Sequence, residues 1–267
     1  MASTPAYSFS RITTFEQCAR RFRYRYLDRV KEAFDSVEAF MGRQVHSTIE
    51  WMYGERLHGE TPTATAAVER YCDTWDREFG AAVRRVRVIK SGTDLESYRR
   101  TGAEILARFH RDRFVSDRLE TVANEKHFLV PIDGRYHFQG YIDRLARDES
   151  GRLHVIDYKT GKRAPQRFEG KEAEQLEAYA LGIFADPAVE KIELVLEFLR
   201  PGTTLARTIS RAEIGSLEQK LAGRIMIVEE ATVFPTNPGA LCDWCGYNDL
   251  CEGYGAAKRR RIGKASA

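Results

Sequence analysis

The sequence predicts a mixed α/β fold with a helical N-terminal portion, on three observations. Up to about residue 118 the apolar residues recur at helical spacing. From Glu125 they alternate at strand spacing, in three short runs separated by turn residues. No internal repeat or low-complexity linker divides the 267 residues, so one α/β domain is the simplest organisation for a length that suits one large domain or two small ones.

Ser10 is placed to cap a helix over about 11–28, with Phe15, Cys18, Phe22 and Tyr26 on one face. Further helices are expected over 39–57, 63–79 and 95–118, the last following the break S-G-T-D at 91–94. The meander then reads E-K-H-F-L-V-P-I, a D-G turn at 133 and 134, Y-H-F-Q-G-Y-I-D-R-L, an E-S-G turn, and L-H-V-I-D-Y-K. A helix over 169–185, strands near 193–199 and 203–210, and a helix over 211–230 complete the pattern.

The net charge of +3 is mild, but 32 of the 42 cationic residues are arginine. Arginine's planar fork of donors suits phosphate, so the bias fits a polyanion partner; a G+C-rich gene gives the same bias. R-R-F-R-Y-R-Y at 20–26 interleaves cations with aromatics, and K-R-R-R at 258–261 forms a basic tail. An amphipathic helix with Phe22 and Tyr26 in the core accounts for the first run equally well. No apolar run reaches the roughly 20 residues of a membrane span, and M-A-S-T-P-A-Y-S carries no hydrophobic leader, so the expected compartment is the cytoplasm.

Five cysteines are too few for a disulfide scaffold in a chain of this length. Cys72 reads as a packed core residue. Cys18 near one end and Cys242, Cys245 and Cys251 in a C-x2-C-x5-C run near the other form a thiolate tetrad, which suits zinc or iron–sulfur without separating the two.

The meander carries the chemistry. Strand alternation puts Asp157 and Lys159 on one face and Tyr158 on the other, with Asp143 near the end of the preceding strand. Two carboxylates brought together repel unless a cation lies between them, and oxygen ligands suit Mg²⁺ or Mn²⁺. A D-x-K triplet taken alone is also what a strand-end salt bridge looks like. His46, in M-G-R-Q-V-H, reads by itself as a helix-surface or core histidine. Gln175 and Tyr179, four apart on the expected helix, share a face.

Taken in order, Cys18 in S-R-I-T-T-F-E-Q-C-A-R-R-F-R-Y, His46, Asp143 in G-Y-I-D-R, Asp157 and Lys159 in I-D-Y-K-T-G, Gln175 and Tyr179 in Q-L-E-A-Y, and C-D-W-C-G-Y-N-D-L-C resemble the PD-(D/E)XK nuclease superfamily. The resemblance is to its RecB-like branch, whose iron–sulfur members include nucleases of CRISPR adaptation. It implies a restriction-endonuclease-like core, a mixed central sheet flanked by helices, with the termini joined by an iron–sulfur cluster. One domain over 1–257 is expected, with a helical portion at 10–118, a catalytic core at 119–230, a cluster-binding segment at 231–257 and a basic tail at 258–267.

The resemblance further implies that Asp143 and Asp157 bind Mg²⁺ or Mn²⁺ with the Tyr158 backbone carbonyl and His46, and that Lys159 assists the water. Gln175 and Tyr179 would contact DNA or support the site, and Cys18, Cys242, Cys245 and Cys251 would hold [4Fe-4S] rather than Zn²⁺. Arg21 and Arg23 are candidate DNA contacts, Tyr24, Tyr26 and Trp244 candidate base-stacking residues for which core packing is the favoured alternative, and Glu125, opening the first strand, a further acid. The activity expected is metal-dependent hydrolysis of DNA, as an exonuclease on single strands or ends, in DNA repair, recombination or CRISPR adaptation. The resemblance also implies a helicase or integrase subunit as a partner; the chain has no P-loop G-x-x-x-x-G-K-[ST], so any ATP-driven unwinding would come from another polypeptide. Two alternatives stay open, a partner-dependent or non-catalytic DNA-binding subunit and a zinc-stapled RNA-processing enzyme.

Overall fold

The computed structural model describes residues 6–82 and 85–255; the basic run at 258–261 lies outside the described residues. The helical portion comprises α1 (Phe9–Gln17), α2 (Ala19–Phe22) running into a π-helical turn (Arg23–Leu27), α3 (Val37–Leu57), α4 (Ala64–Ala82) and α5 (Leu95–Phe109), which ends in a second π-helical turn (His110–Phe114). Short strands β1 (Ala6–Ser8), β2 (Asp35–Ser36) and β3 (Val86–Arg87) are interspersed. The meander follows as β4 (Glu120–Ile132), β5 (Tyr136–Arg147) and β6 (Leu153–Lys159), then α6 (Gly170–Phe184), β7 (Lys191–Phe198), β8 (Thr203–Ser210) and α7 (Ile214–Glu229).

The expected helices and strands are present, with instructive shifts. The first helix is capped by Ser8, whose hydroxyl accepts from the Arg11 N–H, and not by Ser10. It stops at Cys18, which takes an extended backbone (φ −165°, ψ 106°) and separates α1 from α2, so the continuous 11–28 helix is divided at the cysteine. Asp94 and Ser97 form the capping box that starts α5 after the S-G-T-D break. At the β4–β5 hairpin Asp133 and Gly134 both take positive φ, the conformation a tight, right-twisted hairpin favours. Strand β4 opens at Glu120, so Glu125 stands in its interior.

The mixed sheet runs β1-β5-β6-β7-β8, with β4 on the other edge of β5. Pairing is antiparallel for β4–β5, β5–β6 and β7–β8, and parallel for β1–β5 and β6–β7. One face packs on α1, α6 and α7 through residues such as Ile12, Phe138, Val155, Leu176 and Ile225; the other packs on α3, α4 and α5 through Val45, Trp75, Leu106, Ile156 and Tyr158. This is a helix–sheet–helix arrangement in which each face of the sheet has its own core. Phe22 is buried in the first core with Phe15 and Tyr26 packed against it, and Cys72 packs against the second.

The two ends of the chain meet. Arg20 N–H donates to Pro235 O, Arg20 Nε to Phe234 O at 2.8 Å, Asn237 Nδ2 to Gln17 O at 2.8 Å and Tyr247 OH to Val30 O at 3.0 Å. The C-terminal segment is thus fastened to α1 and α2 by backbone-directed hydrogen bonds. Among the described residues no helix is long and apolar enough to cross a membrane.

Candidate active site

Strand β5 shares one edge between two partners. Its first half pairs with β1 up to Gln139, its second half with β6 from Arg144 onward, where Arg144 stands opposite Ile156. Asp143 falls in the interval between them. Past Ile156, β6 stays in register with β7 through Lys159, so Asp157, Tyr158 and Lys159 present their other edge to the same interval. The Tyr158 N–H there donates to Asp143 Oδ2 at 2.8 Å, closing across the gap a hydrogen bond that a continuous ladder would have made to backbone.

Three elements bring acids and a histidine together at this point. His46, on α3, places Nδ1 3.3 Å from Asp143 Oδ2. Glu125 projects from β4, and ligand atoms of His46, Glu125 and Asp143 lie within 4.8 Å of one another. Glu125 holds φ +46° inside a strand, a left-handed conformation uncommon for a residue with a side chain and frequent where a site over-determines the backbone. Asp157, 3% exposed, has an oxygen without a hydrogen-bond partner; Lys159 Nζ lies 2.7 Å from that oxygen but outside hydrogen-bonding geometry.

Lys159 is itself held. Its Nζ donates to Gln175 Oε1 at 3.0 Å, and Gln175 Nε2 donates to Tyr179 OH at 2.8 Å. The helical pair Gln175 and Tyr179 therefore orients the lysine. Gly140 makes this possible, since a Cβ there would come within 2.7 Å of the Tyr179 ring.

Electrostatics follow from burial and crowding. Burial pushes the Asp157 carboxyl up, Lys159 opposes this, and Asp143 adds to it, with a net rise. Glu125 is pushed up to about 7 by burial, then by Asp143 and Glu50. For His46 burial favours the neutral ring, but the Asp143 contact outweighs it and the net shift is upward. Lys159 behaves alike, with burial outweighed by Asp157. Carboxylates crowded beside a histidine, with the burial of Glu125 resisting its ionisation, are a donor set that a divalent cation satisfies. His46, Glu125 and Asp143 form the group whose ligand atoms are close enough for one ion; Asp157, expected as a ligand, is not in that group and faces Lys159 instead.

A protein-family model, described as the PD-(D/E)XK nuclease superfamily, matches residues 6–252. The chain belongs to the PD-(D/E)XK nuclease superfamily. Among curated proteins none matches. A solved structure titled "Crystal structure of SSO0001" is 15% identical, with a TM-score of 0.38 and coverage of 93% of this chain and 86% of that one. PD-(D/E)XK nucleases are metal-dependent, and the acid cluster of this family member is a candidate metal site.

The four cysteines of the expected tetrad line one cavity of about 310 Å³, together with Arg20, Arg21, Tyr24 and Tyr247. Among the described residues no three of their sulfurs lie within 4.8 Å of one another. Burial pushes the Cys245 thiol up, the Tyr247 backbone N–H opposes this, and the Cys18 and Cys251 thiols add to it. The Gly239 N–H donates to Cys242 Sγ at 3.3 Å.

Arg21 and Arg23 stand at the cysteine end, in ion contact with Glu32 at 3.5 Å and Asp28 at 3.2 Å; neither touches Asp143, Asp157 or Lys159. Tyr24 packs on Tyr247 and Tyr26 on Phe22, which accounts for both as packing residues, whereas Trp244 is partly exposed. Sequence reasoning missed Arg144. It is 2% exposed, directly follows Asp143, and is bound by Asp117 Oδ2 at 2.5 Å, Thr121 Oγ1 at 2.9 Å and Leu119 O at 3.1 Å, with its guanidinium 3.6 Å from the Tyr53 ring centre. An arginine at an inward strand position was the available signal.

Proposed function

We propose that this nuclease hydrolyses DNA, acting as an exonuclease on single strands or ends. The observation that carries the reading is the group of His46, Glu125 and Asp143 at the gap between β5 and β6, which Asp143 ties to the Tyr158 N–H between Asp157 and Lys159. His46, Asp143, Asp157 and the Tyr158 carbonyl would hold Mg²⁺ or Mn²⁺. When bound, the ion supplies electrostatic stabilisation of charge on the attacked phosphate. Lys159, kept in place by Gln175, orients the attacking water and offsets negative charge as the phosphodiester opens. Gln175 and Tyr179 act by fixing that lysine. Arg21 and Arg23 would hold a strand near the cysteine end.

We further propose membership of the RecB-like branch, with Cys18, Cys242, Cys245 and Cys251 holding [4Fe-4S]. What supports this is that the four cysteines line one cavity, a thiolate set of the kind that holds such clusters. It would add a covalent clamp to the hydrogen bonds between the two ends. In this reading residues 1–257 form one domain, with 258–267 as a basic tail, and the protein works in the cytoplasm in repair, recombination or CRISPR adaptation beside a helicase or integrase.

The test is anaerobic purification with iron and sulfide analysis, then Mn²⁺-dependent digestion of linear single-stranded DNA, its circular form, a matched duplex and a matched RNA. Cleavage of linear DNA with the circle and RNA spared supports the reading. Preferential RNA cleavage contradicts the substrate, and DNA binding without cleavage supports a partner-dependent subunit instead.

A further inference from the structure

We propose that the sheet face running away from the acid cluster is a base-stacking platform for single-stranded DNA, with Tyr141 and His127 as its rings. The inference rests on the nuclease reading above and adds to it the way the substrate strand is held.

The argument starts from strand alternation. On β5, Phe138, Gly140 and Ile142 turn toward α6 and its core, so Gln139 and Tyr141 turn the other way, toward the side from which His46 reaches Asp143. Register adds their neighbours on β4, with His127 opposite Tyr141, Leu129 opposite Gln139 and Pro131 opposite His137. Tyr141 lies two residues from Asp143, about 7 Å along an antiparallel strand. The strip is therefore continuous with the acid cluster, and none of its six residues is acidic.

It is also exposed and already assembled. Tyr141 is 56% and Leu129 53% exposed. The His127 and Tyr141 rings lie 4.8 Å apart at a 39° tilt, and His127 Nε2 is 3.1 Å from Gln139 Oε1. Rings fixed this way lose little freedom on receiving a base. The buried side of the hairpin is filled by Phe128, Phe138 and Tyr179, so core packing does not account for the outer pair. A strand with its phosphate at the His46, Glu125 and Asp143 cluster has flanking bases to place, and aromatic faces accept any base without sequence preference. Bases in a duplex are already stacked on each other and gain nothing from the platform, so the occupant is a single strand.

The test uses the full chain in a Lys159→Ala background, which keeps the acids while slowing cleavage, with Mg²⁺ and fluorescein-labelled single-stranded and duplex oligonucleotides. Tyr141→Ala should weaken single-strand binding by about 5- to 150-fold, the range for loss of one base–aromatic stack, and Tyr141→Phe should restore it. Duplex binding and the salt slope should not change, because no charge is removed. Equal single-strand binding by Tyr141→Ala and its parent overturns the proposal, as does an equal loss on duplex. A change in oligomeric state without a change in DNA binding also overturns it, assigning this exposed face to a second copy of the chain. A parent that binds no DNA at all contradicts the nuclease reading itself, an outcome distinct from the other three.

Discussion

The backbone N–H of Tyr158 donates to the Asp143 carboxylate at 2.8 Å, fastening the middle residue of the I-D-Y-K run to the acid of the neighbouring strand. Asp143 therefore has two tasks, bridging a gap in the ladder and facing His46 and Glu125.

Those tasks separate by substitution. Asp143→Asn keeps a carbonyl acceptor for the Tyr158 N–H and removes the charge. The wild-type protein should be stabilised by Mn²⁺, by about 2.7 kcal/mol at a hundredfold excess over Kd. The variant should fold with nearly the same metal-free Tm and show no such shift. An undiminished Mn²⁺ shift in thermal denaturation would remove Asp143 from the metal site.

Gln175 acts through Lys159, so Gln175→Ala should lower kcat roughly 10- to 100-fold, since a misplacement of about 1 Å can cost on the order of 10² in rate. Mn²⁺ affinity should stay at the wild-type value. Weakened metal binding with unchanged kcat would place Gln175 in a different role.

Beneath the site, Arg144 and Asp117 form a buried pair. Burial acts against ionisation of Asp117, but Arg144, the Leu119 N–H and Tyr53 outweigh it and the net shift is downward. A carboxyl with a lowered native pKa contributes stability that is complete above the unfolded value, about 3.9, and is lost as pH falls through the native one. Asp117→Asn should cost about 3–5 kcal/mol at pH 7, because Arg144 stays buried without its counter-charge. The gap from wild type should begin to narrow as pH falls below about 4, where the unfolded chain takes up the proton, and should close only as pH falls through the lower native value. Urea denaturation across that range checks this; a gap constant with pH would assign Asp117's effect to packing alone.

Much of this was legible in the sequence because the period changes from helix to strand at the meander, and because D-x-K alternation fixes which side chains face together. The gap in the β5 edge was not legible. It depends on β1, a strand of three residues too short to show a period, pairing parallel to a strand more than a hundred positions away. Glu125 was expected at a strand opening and stands mid-strand at positive φ, a conformation no propensity favours. The division of the first helix at Cys18 was equally hidden, since C-A-R-R-F continues the helical pattern.

For the cysteines, Cys18→Ser should lose most of the iron and visible absorption and lower the Tm, while Cys72→Ser, whose residue packs against the second core away from the tetrad's cavity, should keep both. Iron retained by Cys18→Ser would exclude a four-cysteine cluster.

The most direct test of the central claim is cleavage of linear single-stranded DNA by wild type, Asp157→Asn and Lys159→Ala, each with Mn²⁺ and with EDTA. Wild type should cut with Mn²⁺ alone, and both variants, still folded by circular dichroism, should fall by at least about 10²-fold, the low end of what a catalytic proton-transfer group contributes. Full Mn²⁺-dependent cleavage by both folded variants would contradict the account, locating the chemistry away from the gap between β5 and β6.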